Sequence, residues 1–224
     1  MLGIIFTGGL GPPAQEIKRI LDTEVNNAKN EGVLIIAADS GLTAAVNAGV
    51  KPHWIIGDMD SLTNPAQLAE YPADRVIRHP CDKDFTDTEL AFNLAVDKGC
   101  NVMWLAGGGG GRIDHLFGIH SMLEREIFPL RWITEKEDIH CIDGSGIKDR
   151  GVKNIISCTL QKGACVSVFP LGGGPWEARS EGLKWPLDNV KWNRGFFGSS
   201  NVAETGSFSI SARSGRFMVI LPLL

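Results

Sequence analysis

The chain has 224 residues, 43% hydrophobic and 21% charged, and its 22 Lys+Arg against 26 Asp+Glu give a formal net charge of −4. This is the composition of a globular chain able to bury a core, and it excludes disordered and fibrous classes. No basic stripe marks a nucleic-acid surface and no apolar run reaches the length of a membrane span, so the expected partner is small, and cationic or metal-bound.

The opening "MLGIIFTGGLGPP" has no basic leader and reads as a first buried strand rather than a signal peptide. The cysteines Cys81, Cys100, Cys141, Cys158 and Cys165 include no C-x-x-C pair, which indicates neither a disulfide framework nor a zinc site. They are expected to be small buried hydrophobes in a cytoplasmic protein.

Strand-like and helix-like segments then alternate through about residue 130. "GIIFT" precedes a helix predicted over Ala14 to Asn30, and "VLIIAAD" precedes "LTAAVNAG". "HWIIGD" is followed by "NPAQLAEY", "RVIRH" by "DTELAFNLAVDKG", and "VMWLAG" by "DHLFGIHSMLEREI". This alternation predicts an α/β domain with a mostly parallel sheet and helices on both faces. Asn64 with Pro65 forms an N-cap and N1 pair, Thr86-x-x-Glu89 a capping box, and Gly49 and Gly99 sit where helices end. After "TEKED" the helical period disappears. "IISCTL", "CVSVFP", "SFSIS" and "RFMVILP", separated by glycine and polar turns, predict a smaller all-β, sandwich-like domain. The expected domains are residues 1–136 and 137–224.

Parallel sheets bind ligands beyond the carboxyl ends of their strands. Those ends carry Asp39-Ser40-Gly41, then Asp58, Asp60 and Ser61, then "CDKDFTD" with Lys83, Asp84, Thr86 and Asp87, and finally "GGGGGRIDH". In an extended segment Asp58 and Asp60 share a face, and carboxylates so close repel unless a hard cation such as Mg²⁺ joins them. Asp58 alone also reads as a turn aspartate. The glycine run can aim backbone N–H groups at an anion, with Arg112 adding a fork of donors; a flexible surface turn is the other reading. His115 fits an orienting or capping role better than proton transfer. "GLGPPA" mimics a dinucleotide loop, but Pro12 and Pro13 have no N–H to offer, so it reads as a tight turn.

Taken together and in order, "AADSG", "GDMDSL", "DKDFTDTELA" and "GGRIDH", continuing into "EGLKWPL" and "GSSN", closely resemble the thiamin pyrophosphokinase family. The resemblance implies transfer of a diphosphoryl group from ATP to thiamin, giving thiamin diphosphate and AMP. It also implies a homodimer in which the α/β domain binds nucleotide and Mg²⁺, while the β domain dimerises and helps build the thiamin pocket. By motif, Asp58, Asp60 and Asp87 are the metal-side acids. Asp84 joins them as a catalytic candidate, and Lys83 and Thr86 line the phosphate site with Asp39, Ser40 and Ser61 at its edge. Arg112, Asp114 and His115 complete the nucleotide side. Trp185, Ser200 and Asn201 face thiamin across the dimer interface; a core tryptophan and turn-forming Ser-Asn are the readings without the resemblance. Ser40 stands where the family usually has glycine, and the glycine run is longer than typical. A pyrophosphokinase for another alcohol such as a pterin, a metal-dependent phosphohydrolase and a non-catalytic sensor are the alternatives.

Overall fold

β1 (Leu2–Phe6) is buried along its whole length, as a strand must be when both faces of its sheet are covered. It pairs in parallel with β2 (Val33–Ala38) and β5 (Val102–Ala106), Phe6 standing level with Ala37 on one side and Ala106 on the other. β3 (Trp54–Gly57) and β4 (Val76–Arg78) extend the parallel array beyond β2, and β6 (Arg131–Ile133) lies beside β5. Matching registers bring the carboxyl ends of these strands to one edge. The computed structural model describes residues 1–27, 32–146 and 151–223.

Among the described residues, four α-helices accompany these strands: α1 (Ala14–Asn27), α2 (Gly41–Asn47), α3 (Asp87–Asp97) and α4 (Ile113–Leu123). α2 packs on β1 and β2, and α3 on β1, β2 and β3. Residues 28–30 of the predicted first helix lie outside the described residues. The Thr86–Glu89 capping box opens α3, and Gly49 and Gly99 take positive φ just past α2 and α3, as glycine after a helix does. "NPAQLAEY" differs from expectation, forming a 3₁₀ segment, Pro65–Glu70, with Asn64 accepting from Ala66 N–H. α4 also stops at Leu123, short of the predicted "EREI".

The chain divides into two units, Met1–Met122 with Trp132–Glu135, and Leu123–Arg131 with Lys136–Leu224. In the second, an antiparallel sheet orders β11 (Gly198–Val202), β9 (Cys165–Leu171), β13 (Arg216–Pro222) and β7 (Glu137–Asp143). A three-stranded sheet orders β10 (Glu177–Glu181), β12 (Ser207–Ser214) and β8 (Ile155–Thr159). Both supply one core, in which Val166, Val168, Phe217 and Val219 meet Phe208, Ile210 and Ala212. This is the expected sandwich. The segment Leu123–Arg131 is held to it by Arg216, which donates to the carbonyls of Leu123 and Arg125, pairs with Asp143 and lies over the Phe128 ring. Among the described residues no helix is long and apolar enough to cross a membrane.

Candidate active site

At the carboxyl edge of the parallel strands lies a cavity of about 650 Å³, and all twelve site residues predicted in the first unit line it. β2 delivers Asp39 and Ser40, and β3 delivers Asp58, Asp60 and Ser61. The segment after β4 brings Lys83, Asp84 and Thr86, with Asp87 opening α3; Arg112, Asp114 and His115 come from the start of α4.

The centre is a cluster of acids around one lysine. Carboxylate oxygens of Asp39, Asp58 and Asp87 lie within 4.8 Å of one another. Lys83 Nζ stands 2.7 Å from Asp58 Oδ2 and 3.2 Å from Asp87 Oδ1. Gly57 makes the cluster possible: its φ is +145°, and a Cβ there would lie 3.0 Å from the Asp87 carboxyl and 3.1 Å from Asp39 Cβ. The hydrogen bond from Lys83 holds Asp58 below the usual carboxylate range. Burial pushes Asp87 up, only partly opposed by Lys83. Burial also pulls Lys83 down, but the hydrogen bond to Asp58 and the negative charge of Asp87 beside it outweigh that and leave the ammonium raised.

Two expectations about these acids change. The D-x-D segment is a turn, not an extended strand: Asp58 Oδ1 accepts from Asp60 N–H at 3.2 Å, and Met59 between them has φ +66°. Asp60 groups with Asp58 and Cys81, whereas Asp39, expected at the edge, groups with Asp58 and Asp87. The donor set fits a hard divalent cation. Asp39 is 8% exposed, and its Oδ1, like Asp87 Oδ1, is buried without a hydrogen-bond partner; Lys83 is within ion-pair distance of the latter but does not hydrogen-bond it. Buried carboxylate oxygens left unpaired are costly unless a cation answers them.

The other predicted residues divide by what already engages them. Thr86 lines the cavity, but its hydroxyl accepts from Glu89 N–H and donates to Glu89 Oε2, so it serves the helix cap. Arg112 pairs with Asp114 through two hydrogen bonds at the exposed rim, and exposed His115 donates its backbone N–H to Asp114. Asp84 makes no side-chain hydrogen bond or ion pair among the described residues, and it is exposed in the cavity. The glycine run departs from the anion-cradle reading. Gly107, Gly108 and Gly109 spend their N–H groups on the carbonyls of Ile133, Gly8 and Leu10. A Cβ at Gly107 would lie 2.3 Å from Thr7 O, so these glycines let the loop after β1 approach.

The cavity is also lined by residues outside the expected set, among them Thr7, Gly8 and Cys81. Thr7 and Gly8 follow β1 as Asp39 follows β2 and Asp58 follows β3, but neither carries a charge that would mark the strand end as a site. Cys81 was expected to be buried; it is exposed and lines the cavity, as Cys165 is exposed elsewhere.

Trp185, Ser200 and Asn201 lie together in the second unit. Trp185 is 53% exposed, with Lys184 Nζ 4.7 Å from its ring centroid. Ser200 is exposed with φ +60°. Asn201 differs from expectation in being 6% exposed and turned inward.

A parallel α/β layer with clustered carboxylates, a lysine and a helix N-terminus at its carboxyl edge defines a phosphoryl-transfer class of enzyme. Two family models match the chain, the thiamin pyrophosphokinase catalytic domain over residues 25–129 and the thiamin pyrophosphokinase vitamin B1 binding domain over residues 153–217. The chain belongs to the thiamin pyrophosphokinase family. It is 27% identical over 167 residues to thiamine pyrophosphokinase of Bacillus subtilis (strain 168), covering 71% of this chain and 73% of that one. Thiamin pyrophosphokinase from Geobacillus thermodenitrificans superposes with a TM-score of 0.68 at 26% identity, covering 99% of this chain and 97% of that one. The Bacillus subtilis enzyme structure shares the fold, with a TM-score of 0.72 at 23% identity over 100% and 99% of the two chains.

Proposed function

We propose that the acidic cavity of the first unit carries out the family's reaction, transfer of the diphosphoryl group of ATP to the hydroxyl of thiamin with release of AMP. The observation that carries this reading is the Asp39–Asp58–Asp87 cluster, three carboxylates answered by the single ammonium of Lys83, with buried Asp39 Oδ1 left without a hydrogen bond.

Asp39, Asp58 and Asp87 would hold Mg²⁺, with Asp60 beside them; when bound, the ion would neutralise phosphate charge as it develops. Lys83 fixes the spacing of Asp58 and Asp87 and places a second positive charge against the phosphates. Arg112, on its exposed rim, can exchange Asp114 for a phosphate oxygen. The thiamin hydroxyl oxygen forms a bond to the β-phosphorus while the bond from that phosphorus to the α–β bridging oxygen breaks and AMP leaves. Asp84, exposed in the cavity and not engaged by neighbouring side chains, takes the hydroxyl proton. Trp185 offers an exposed aromatic face for thiamin. Lys184 already covers the indole at 4.7 Å, so the ligand ring uses the opposite face.

The reading carries with it a homodimer, which sedimentation would test, and a cytoplasmic location where ATP is supplied. Incubation with ATP, Mg²⁺ and thiamin should yield AMP and thiamin diphosphate in equal amounts. ADP or inorganic phosphate in their place would overturn the assignment.

A further inference from the structure

"LKWPL" and "GSSN" are read above as two thiamin-facing motifs; the structure ties them into one device. Leu183 forms an isolated antiparallel bridge with Ala203, and Lys184 donates its N–H to the Val202 carbonyl at 2.9 Å. Continued regularly, this pairing would set Trp185 against the backbone of β11. It does not continue, because the register of β11 shifts between Gly198 and Asn201 and Ser200 takes φ +60°. Such a bulge re-aims the side chains beside it.

The Asn201 side chain supplies the missing rungs. Its Oδ1 accepts from Trp185 N–H at 3.1 Å and Val202 N–H at 2.8 Å, and its Nδ2 donates to the Trp185 carbonyl at 2.7 Å. Both acceptor sites of the amide oxygen are used, and the side chain is 6% exposed. The Asn201 side chain therefore has no acceptor left for a ligand, while Trp185, whose backbone it grips, is 53% exposed. Pro186 follows Trp185 and restricts its backbone to extended conformations, which limits how far the ring could drift if only one contact were lost.

We infer that Asn201 is a positioning residue, which grips the Trp185 backbone at both its N–H and its carbonyl and thereby presents the indole as a fixed platform for thiamin. A side chain fixed in its bound geometry before the ligand arrives spares the ordering cost of binding. This rests on Trp185 facing thiamin, so the test separates the two ideas.

Thiamin and ATP KM values, kcat and Tm are measured for Trp185→Ala, Asn201→Ala, Asn201→Asp and the Trp185→Ala/Asn201→Ala double variant. Asn201→Asp keeps the size and both acceptors of the side chain but loses the donor to the Trp185 carbonyl, so it covers the case in which Asn201→Ala fails to fold. Expected is a rise of about tenfold in thiamin KM for Trp185→Ala, and a comparable rise for each Asn201 variant. The ATP KM should stay within about twofold, and the double variant should be no worse than Trp185→Ala. Additive effects in the double variant, an unchanged thiamin KM in the Asn201 variants, or an equal rise in both KM values would overturn the positioning role. An unchanged thiamin KM in Trp185→Ala would instead remove the reading on which it rests.

Discussion

Replacing Asp39 by asparagine should make the chain more stable and far less active. Asp39 sits at φ +45°, a left-handed conformation that asparagine adopts as readily as aspartate, so the backbone is left unstrained. Its carboxylate lies within 4.8 Å of those of Asp58 and Asp87. At an effective dielectric of about 20, two unit charges at 4.8 Å repel by about 3.5 kcal/mol. Lys83 answers part of that repulsion, and solvent in the open cavity screens more, which leaves a net gain of about 1–2 kcal/mol for removing one charge. For a chain of this length that is a rise of about 2–8 °C in Tm. The new amide can also donate to a neighbouring carboxylate, so the buried position stays satisfied.

The assay is thermal unfolding in EDTA and again with Mg²⁺, set beside turnover. The parent should gain stability with Mg²⁺, by about 2.7 kcal/mol at a hundredfold excess over Kd, and Asp39→Asn should gain much less. Turnover should fall at least about 100-fold. A lowered Tm in EDTA would show that Asp39 is a structural anchor whose charge is already balanced. Full activity would show that the cation and the phosphates do not depend on it.

Asp58→Asn and Asp60→Asn should each lower turnover by at least about 100-fold with the fold intact, checked by steady-state kinetics at saturating Mg²⁺ and by circular dichroism. An alkylating agent should label Cys81 and Cys165 in the native protein while Cys100 and Cys141 stay untouched, since the latter two are buried and burial pushes the Cys141 thiol up to about 12. Loss of activity should track Cys81, be prevented by MgATP and disappear in Cys81→Ser. It should also speed up as pH rises, because the charge of Asp58 holds the Cys81 thiol above its ordinary range. Asp138→Asn should destabilise the chain by about 2–4 kcal/mol at pH 7, because Arg131 loses the opposing charge and one of its two hydrogen bonds of 2.7 Å at a mostly buried pair, and meets an NH₂ donor in its place. Burial alone would raise Asp138, but hydrogen bonds from His140 and Arg131 hold its carboxyl well below the usual range. Its contribution is therefore complete above the unfolded carboxylate pKa and declines as pH falls beneath about 4, so parent and variant should converge there in acid urea titrations.

What could be read from the sequence was what is encoded locally. The Thr86–Glu89 box, the Asn64 cap and the glycines after α2 and α3 each involve residues within a few positions of one another, and each stands as expected. Strand ends were legible where an apolar run is followed at once by an acid, as β2 is by Asp39 and β3 by Asp58. What failed was non-local. Asp39 looks like a peripheral turn residue until β2 and β3 pair with Ala38 level with Ile56, which brings it to the start of the D-x-D turn and against α3. The glycine run looks like an anion loop until Thr7, Gly8 and Leu10, about a hundred positions earlier, claim its space and its N–H groups. β7 starts inside "TEKED", a stretch whose charges suggest a linker, because the partner that lets Asp138 sit in a strand is Arg131 of β6. β10 and β11, "EARSE" and "GSSNV", carry too few apolar residues to announce a strand.

Backbone strain follows the same division between core and site. Among the described residues, Asp39, Met59 and Ser200 are the non-glycine positions with positive φ, and each sits in or beside a proposed site. Aspartate bears that conformation at modest cost; for serine and methionine it costs about 1–2 kcal/mol. Met59 can bear it because its side chain is 7% exposed and packs with Leu42, Ile55 and Leu62, burial worth about 1.5–3 kcal/mol. The apolar residue between the two aspartates is thus the anchor of the motif: with Met59 fixed in the core, the chain turns sharply enough for Asp58 to accept the Asp60 N–H and for both carboxylates to remain at the cavity wall. In a straight strand the same D-x-D spacing would also have put the acids on one face, with their Cα atoms about 7 Å apart along the strand. The turn, held by a buried methionine, brings their oxygens within 4.8 Å.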